Sequence, residues 1–185
     1  MTITAALDPA DRFDAAVVAQ WGRGYAPPRH LLPHLLADLW PQLLATDPAA
    51  ARYGVAAAWS SVDSPTESLP MDQWAEMFRA VPPCEHLTDT ETVTVYRGVR
   101  DPAHAAGACW TGSVHTARLF ADRVRGVCAG IVYRATVPTS EVLAHLCGDL
   151  DSRDEDEYIV TPAAVAAALT IHEDRRGGDL PPSNP

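Results

Sequence analysis

The sequence predicts an α+β fold, with helices gathered in the first half of the chain and strands in the second. Three observations carry that expectation. Apolar residues recur at helical spacing between proline-rich breaks from about residue 5 to 85, the pattern switches to two-residue alternation from residue 92, and 185 residues suit about one domain. A single domain over residues 1–185 is therefore expected, with a helical N-terminal part at 5–85, a sheet-bearing core at 92–172 and a disordered tail at 173–185.

The elements follow in order. DPADRFDAAVVAQW opens on an Asp-Pro cap and puts Phe13, Val17 and Trp21 on one helical face. RHLLPHLLADLWPQLL continues with Leu35, Leu36, Leu39 and Trp40, and DPAAARYGVAAAWSSV starts on a second Asp-Pro cap. After the loop DSPTESLP, MDQWAEMFRAV lines Trp74, Met77 and Phe78 along one side, where aromatics usually serve the core. TVTVYRGV then alternates, with Val93, Val95, Arg97 and Val99 on one face and Thr94, Tyr96 and Gly98 on the other. CWTGSVHTARLFADRVRG reads as a strand end entering a helix: Ser113 caps it, Ala117, Phe120, Ala121 and Val124 form its buried stripe, and Gly126 ends it. AGIVYRATV is a second strand, TSEVLAHL a helical turn, GDLDSRD a loop, and EYIV a third strand that stops at Thr161-Pro162. AVAAALTIHE is open between helix and strand, and DRRGGDLPPSNP has the composition of disorder.

Composition removes several classes of function. A formal net charge of -10 argues against binding nucleic acid through its phosphates. All 14 basic residues are arginines, so the lysine-dependent chemistries of P-loop ATPases, protein kinases, pyridoxal enzymes and Schiff-base aldolases are excluded. Cys84, Cys109, Cys128 and Cys147 contain no CxxC pair and are expected to be buried free thiols rather than a zinc site. No GxGxxG follows a strand, which leaves a Rossmann nucleotide site without support. No apolar run reaches the ~18 residues of a membrane span. The opening MTITAALDPADRFD lacks a basic segment followed by an apolar one, and the expected location is cytoplasmic.

Three short stretches carry chemistry. Arg97 sits on an otherwise valine face, where a guanidinium either reaches outward, pairs with a buried acid, or lines a cleft that binds an anion. Gly98 beside it allows another backbone or a ligand to come close. In the second stretch Trp110 either walls a pocket or packs in the core, the Thr111 hydroxyl is placed to orient a side chain or ligand, and Ser113 suits a helix cap. The third is SRDEDEYIV: in a strand residues two apart share a face, so Glu155 and Glu157 point together while Asp156 and Tyr158 point the other way. Two adjacent carboxylates raise the pKa of one of them. The plainer alternative is an acidic loop satisfied by Arg153 and solvent, and Asp154 and Asp156 are expected to be solvated.

Taken in order, YRG, WT before a helix and ExE entering a strand resemble the Arg-Ser/Thr-Glu type of the ADP-ribosyltransferase superfamily, which includes cholera-toxin-like and clostridial-toxin-like enzymes. The resemblance spans about residues 92–172. It implies a split, mostly antiparallel sheet and NAD as substrate, with no metal. It also implies transfer of ADP-ribose to an acceptor, with a protein side chain, arginine if the ExE pair is retained, as the leading partner. Arg97 matches the arginine that holds the NAD phosphates, with Gly98 and Trp110 as neighbouring cofactor contacts. Thr111 matches the hydroxyl of the second motif, with Ser113 as the alternative because Cys109-Trp110-Thr111 replaces the usual Ser-Thr-Ser text. Glu157 matches the catalytic glutamate, Glu155 the residue that engages the acceptor, and GDLDSRD the acceptor-recognition turn. The competing expectations are an NAD glycohydrolase, and a catalytically silent module that keeps the fold for protein interaction.

Overall fold

A computed structural model describes residues 7–81, 87, 90–122, 130–150 and 153–176. The chain gathers into two compact units, Met1–Pro83 with Gly148–Arg153, and Cys84–Cys147 with Asp154–Pro185.

The first unit is helical. Helices α1 (Pro9–Trp21), α2 (Leu32–Thr46), α3 (Pro48–Ser60), α4 (Pro65–Ser68) and α5 (Met71–Ala80) follow one another. Both Asp-Pro signals act as read. Asp8 accepts from Asp11 N at 2.8 Å and Asp47 accepts from Ala50 N at 3.1 Å, satisfying amides that a helix start leaves unpaired. Arg12 also donates to the Asp47 carboxylate, and that hydrogen bond holds the carboxyl below its ordinary range. The aromatic stripe of α5 lies in the core: Trp59 meets Trp74 edge-on at 5.2 Å and Phe78 at 5.5 Å, and the Trp74 indole donates to Pro65 O. DSPTESLP, read as loop, contains the one-turn α4. Arg153 belongs to this unit and donates to the carbonyls of Ser60 and Val62.

The second unit holds strands β1 (Thr92–Val99), β2 (Cys109–Thr111), β3 (Ile131–Pro138), β4 (Val142–Leu146), β5 (Glu157–Val160) and β6 (Thr170–Asp174), with helices α6 (Val114–Ala121) and α7 (Pro162–Ala168). They form one sheet in the order β4-β5-β2-β1-β3-β6 with every pairing antiparallel, so the coarse α+β class holds. β1 and β3 pair along their whole length, Thr92 opposite Pro138 through Val99 opposite Ile131, whereas β1 and β2 meet at Tyr96 opposite Thr111 alone.

One face of the sheet packs Val95, Val99, Trp110, Tyr133, Ala135 and Val137 with Val165 of α7. The other receives α6 through Ala117, Ala121 and Val132. The close approach of α6 depends on Gly98, where a Cβ would collide with the Ala117 carbonyl and stand 2.6 Å from Ala121 N. Arg118 of α6 also grips Glu173 of β6, with Nε 3.0 Å from Oε2, and this hydrogen bonding pulls the Glu173 pKa from 4.5 to about 2.

Several expectations change. TSEVLAHL is a 3-10 turn at Thr139–Glu141 followed by β4, because pairing with β5 (His145 opposite Tyr158, Leu146 opposite Glu157) outweighs local helix preference. AVAAALTIHE divides, its alanines ending α7 and its TIHE end, with Asp174 after it, forming β6, so Glu173 and Asp174 are strand rather than tail. α6 stops at Ala121 and Phe120 is only half-buried; Val124 and Gly126 lie outside the described residues, as do 177–185 of the tail. Cys109 and Cys147, expected to be buried, are half-buried, and Cys84 and Cys128 lie outside the described residues. Among the described residues no helix is long and apolar enough to cross a membrane.

Candidate active site

The register of the second unit aligns a row of side chains across the sheet. Leu146 opposes Glu157, Glu157 opposes Thr111, Thr111 opposes Tyr96, and Tyr96 opposes Arg134. Residues directly opposite each other project from the same face, on strands spaced about 4.8 Å apart. Thr111 and Glu157 are therefore neighbours on the face that carries α6. Both are buried, at 3% and 8% exposure, beside Leu146 at 2%. A carboxylate with so little water around it interacts strongly with any charge brought to it.

Just beyond β2 the chain turns through Gly112 into α6, and this turn grips the segment before β5. Thr111 Oγ1 donates to Glu155 O at 2.7 Å and accepts from Ser113 N at 3.0 Å, while Gly112 N donates to Asp156 O at 3.1 Å. Ser113 Oγ accepts from Thr116 N at 3.2 Å and so caps α6, as its position suggested. The hydroxyl joined to the ExE segment is that of Thr111.

The two glutamates do not share a face by strand alternation. β5 begins only at Glu157, and Asp154 and Asp156 adopt left-handed backbone conformations, φ 53° and 49°, which interrupt the two-residue period around Glu155. Glu155 is instead held by its carbonyl, through Thr111. Nor is Asp156 simply solvated: its carboxylate lies 2.7 Å from His145 Nε2, and it fills the space where a Gly112 Cβ would stand. His145, at 8% exposure, stacks on Tyr158 at 4.1 Å with the rings 15° apart. His145 is not visible in the sequence because TSEVLAHL reads locally as a helical turn; as a strand paired with EYIV, it brings His145 opposite Tyr158.

Arg97 points to the opposite face from Thr111 and Glu157, since its neighbour Tyr96 is the one aligned with them. Its Nε donates to His104 O at 3.0 Å and its Nη1 to Cys109 O, so the side chain ties down the loop entering β2 where β1 and β2 part. A Cβ at Gly107 would stand 2.6 Å from Nη2. No carboxylate among the described residues pairs with Arg97, whose guanidinium donates to the His104 and Cys109 carbonyls. Two expected cofactor contacts are corrected here. Trp110 is 2% exposed with its indole donating to Gly107 O at 2.7 Å, so it packs in the core. The space over Gly98 is taken by the α6 backbone rather than a ligand.

No protein-family model matches the chain, and comparison with curated proteins and with solved structures returns no match. Among the described residues no three His, Cys, Asp or Glu side chains gather as a metal site.

Proposed function

We propose that the second unit is an NAD-dependent mono-ADP-ribosyltransferase that transfers ADP-ribose to an acceptor, a protein side chain being the leading class. The observation that carries this reading is the pairing of Thr111 with Glu157, with the Thr111 hydroxyl bonded to the carbonyl of Glu155. The motifs that resemble the Arg-Ser/Thr-Glu enzymes lie 44 residues apart at Thr111 and Glu155, and tertiary contact joins them. The single register pair between β1 and β2, which leaves two three-stranded halves, fits the split sheet that the resemblance implies.

Breaking the bond between nicotinamide and ribose builds positive charge on the sugar, as in glycoside hydrolysis. A fixed, largely dehydrated carboxylate lowers that barrier more than a solvated one, and Glu157 is the candidate for it. Thr111 and the Gly112 amide hold the preceding residues, which keeps Glu155 near the same strand end to receive a proton from the incoming nucleophile. Arg97 anchors the loop that leads into Thr111, and its guanidinium, which pairs with no carboxylate among the described residues, is the candidate for the NAD diphosphate where β1 and β2 part.

Calorimetry is expected to detect NAD binding, and mass spectrometry of the products is expected to find ADP-ribose attached to acceptor protein. Free ADP-ribose alone would make the chain a glycohydrolase, and an absence of both binding and cleavage would leave a silent module. Arg97→Ala is expected to lose two carbonyl contacts and about 1–2 kcal/mol of stability, and to weaken NAD affinity at least ~10-fold. A variant that loses stability but binds NAD as the wild type does would confine Arg97 to anchoring the loop.

A further inference from the structure

We infer that His145 is a positioning residue for the candidate carboxylates, acting through Asp156. The inference rests on the catalytic reading of Glu155 and Glu157 given above. Asp156 occupies a left-handed conformation, φ 49°, between those two residues, and its backbone angles set how the chain passes from one to the other. An aspartate tolerates that conformation without being confined to it, so something must hold it there. The backbone is fixed on the β2 side, by Thr111 Oγ1 on Glu155 O and Gly112 N on Asp156 O. The Asp156 carboxylate is fixed on the β4 side, by His145 Nε2 at 2.7 Å.

His145 is built for this task rather than for contact with substrate. Its side chain is 7% exposed, against 48% for that of Asp156, and stacking on Tyr158 fixes the ring plane. Its Nδ1 is buried and finds no hydrogen-bond partner among the described residues. A proton on that nitrogen would be a buried donor without an acceptor, so the favoured neutral tautomer carries its proton on Nε2 and donates it to Asp156. Gly112 completes the arrangement, because any side chain there would collide with the Asp156 carboxylate and stand 3.1 Å from the Tyr158 ring.

The test compares His145→Phe, which keeps a ring against Tyr158 but loses the donor, with His145→Gln, which can return an amide donor toward Asp156. Backbone amides at Gly112 and residues 155–157 are expected to exchange at least ~10-fold faster in the Phe variant, with the β1–β3 amides unchanged. Its kcat for ADP-ribose transfer should fall about 10–100-fold with KM for NAD within about twofold, and Gln should recover most of both losses. Wild-type exchange in the Phe variant, or faster exchange with unchanged kcat, overturns the inference. Nitrogen-15 spectra of the wild-type imidazole supply a check that needs no variant to fold: a proton on Nε2 is expected, and an unprotonated Nε2 overturns the donor role. If the wild-type chain does not cleave NAD, the proposed function has failed, and the exchange comparison alone decides whether His145 holds the loop.

Discussion

Replacing Glu157 with Gln is expected to preserve folding and NAD binding while lowering turnover by at least ~10²-fold, equivalent to about 2.7 kcal/mol of transition-state stabilisation. The amide has the size of the carboxylate and retains hydrogen-bonding capacity, so a site that is 8% exposed and flanked by Thr111 and Leu146 need not repack. What it loses is the negative charge, which opposes the positive charge that grows on the ribose. Single-turnover nicotinamide release measures this step directly. Wild-type rates in Glu157→Gln would remove Glu157 from the chemistry. The companion Glu155→Gln separates the two acids, because it should depress transfer to the acceptor more than hydrolysis of NAD if Glu155 serves the nucleophile.

The largest structural effect is expected from Gly98→Ala. The added Cβ would collide with the carbonyl of Ala117 and lie 2.6 Å from Ala121 N and 2.8 Å from Ala117 C. These are backbone atoms of α6, so no flexible side chain can swing aside, and the helix must lift from β1. Its seat, formed by Ala117, Ala121 and Val132, would open with it. A loss of about 3 kcal/mol or more is expected, or a fall of roughly 6–12 °C in melting temperature for a chain of this size. Gly22→Ala is the control, since Gly22 has φ 70° but nothing within 4 Å of an added Cβ. It should cost only about 1 kcal/mol, the penalty of a left-handed alanine. Equal melting temperatures for Gly98→Ala and the wild type would contradict the seating of α6 on the sheet.

The helical unit was legible because its signals are local. Asp8 and Asp47 each cap a helix within three residues of themselves, and the spacing of Trp74, Met77 and Phe78 already marks the buried side of α5. β1 was legible for the same reason, since Val95 and Val99 alternate with Tyr96 and Gly98 and no other segment is needed to see which face is apolar. β4 was not, because its five residues gain strand geometry only by lying beside β5. The same long-range pairing hid His145. The reading of Glu155 and Glu157 as a same-face pair assumed an extended backbone, and the left-handed Asp156 removes that assumption.

For the candidate site, residue chemistry named Arg97, Thr111 and the two glutamates, because a guanidinium, a hydroxyl and carboxylates advertise what they can bind wherever they sit. Their mutual arrangement is a matter of register. Tyr96 opposite Thr111 and Thr111 opposite Glu157 put the hydroxyl and the carboxylate side by side, and the same alignment turns Arg97 to the other face. A slip of one residue in either pairing would exchange the faces. The pairing of Thr111 with Glu157 depends on segments more than 40 residues apart finding each other, and that partnership is written in no single stretch of the chain.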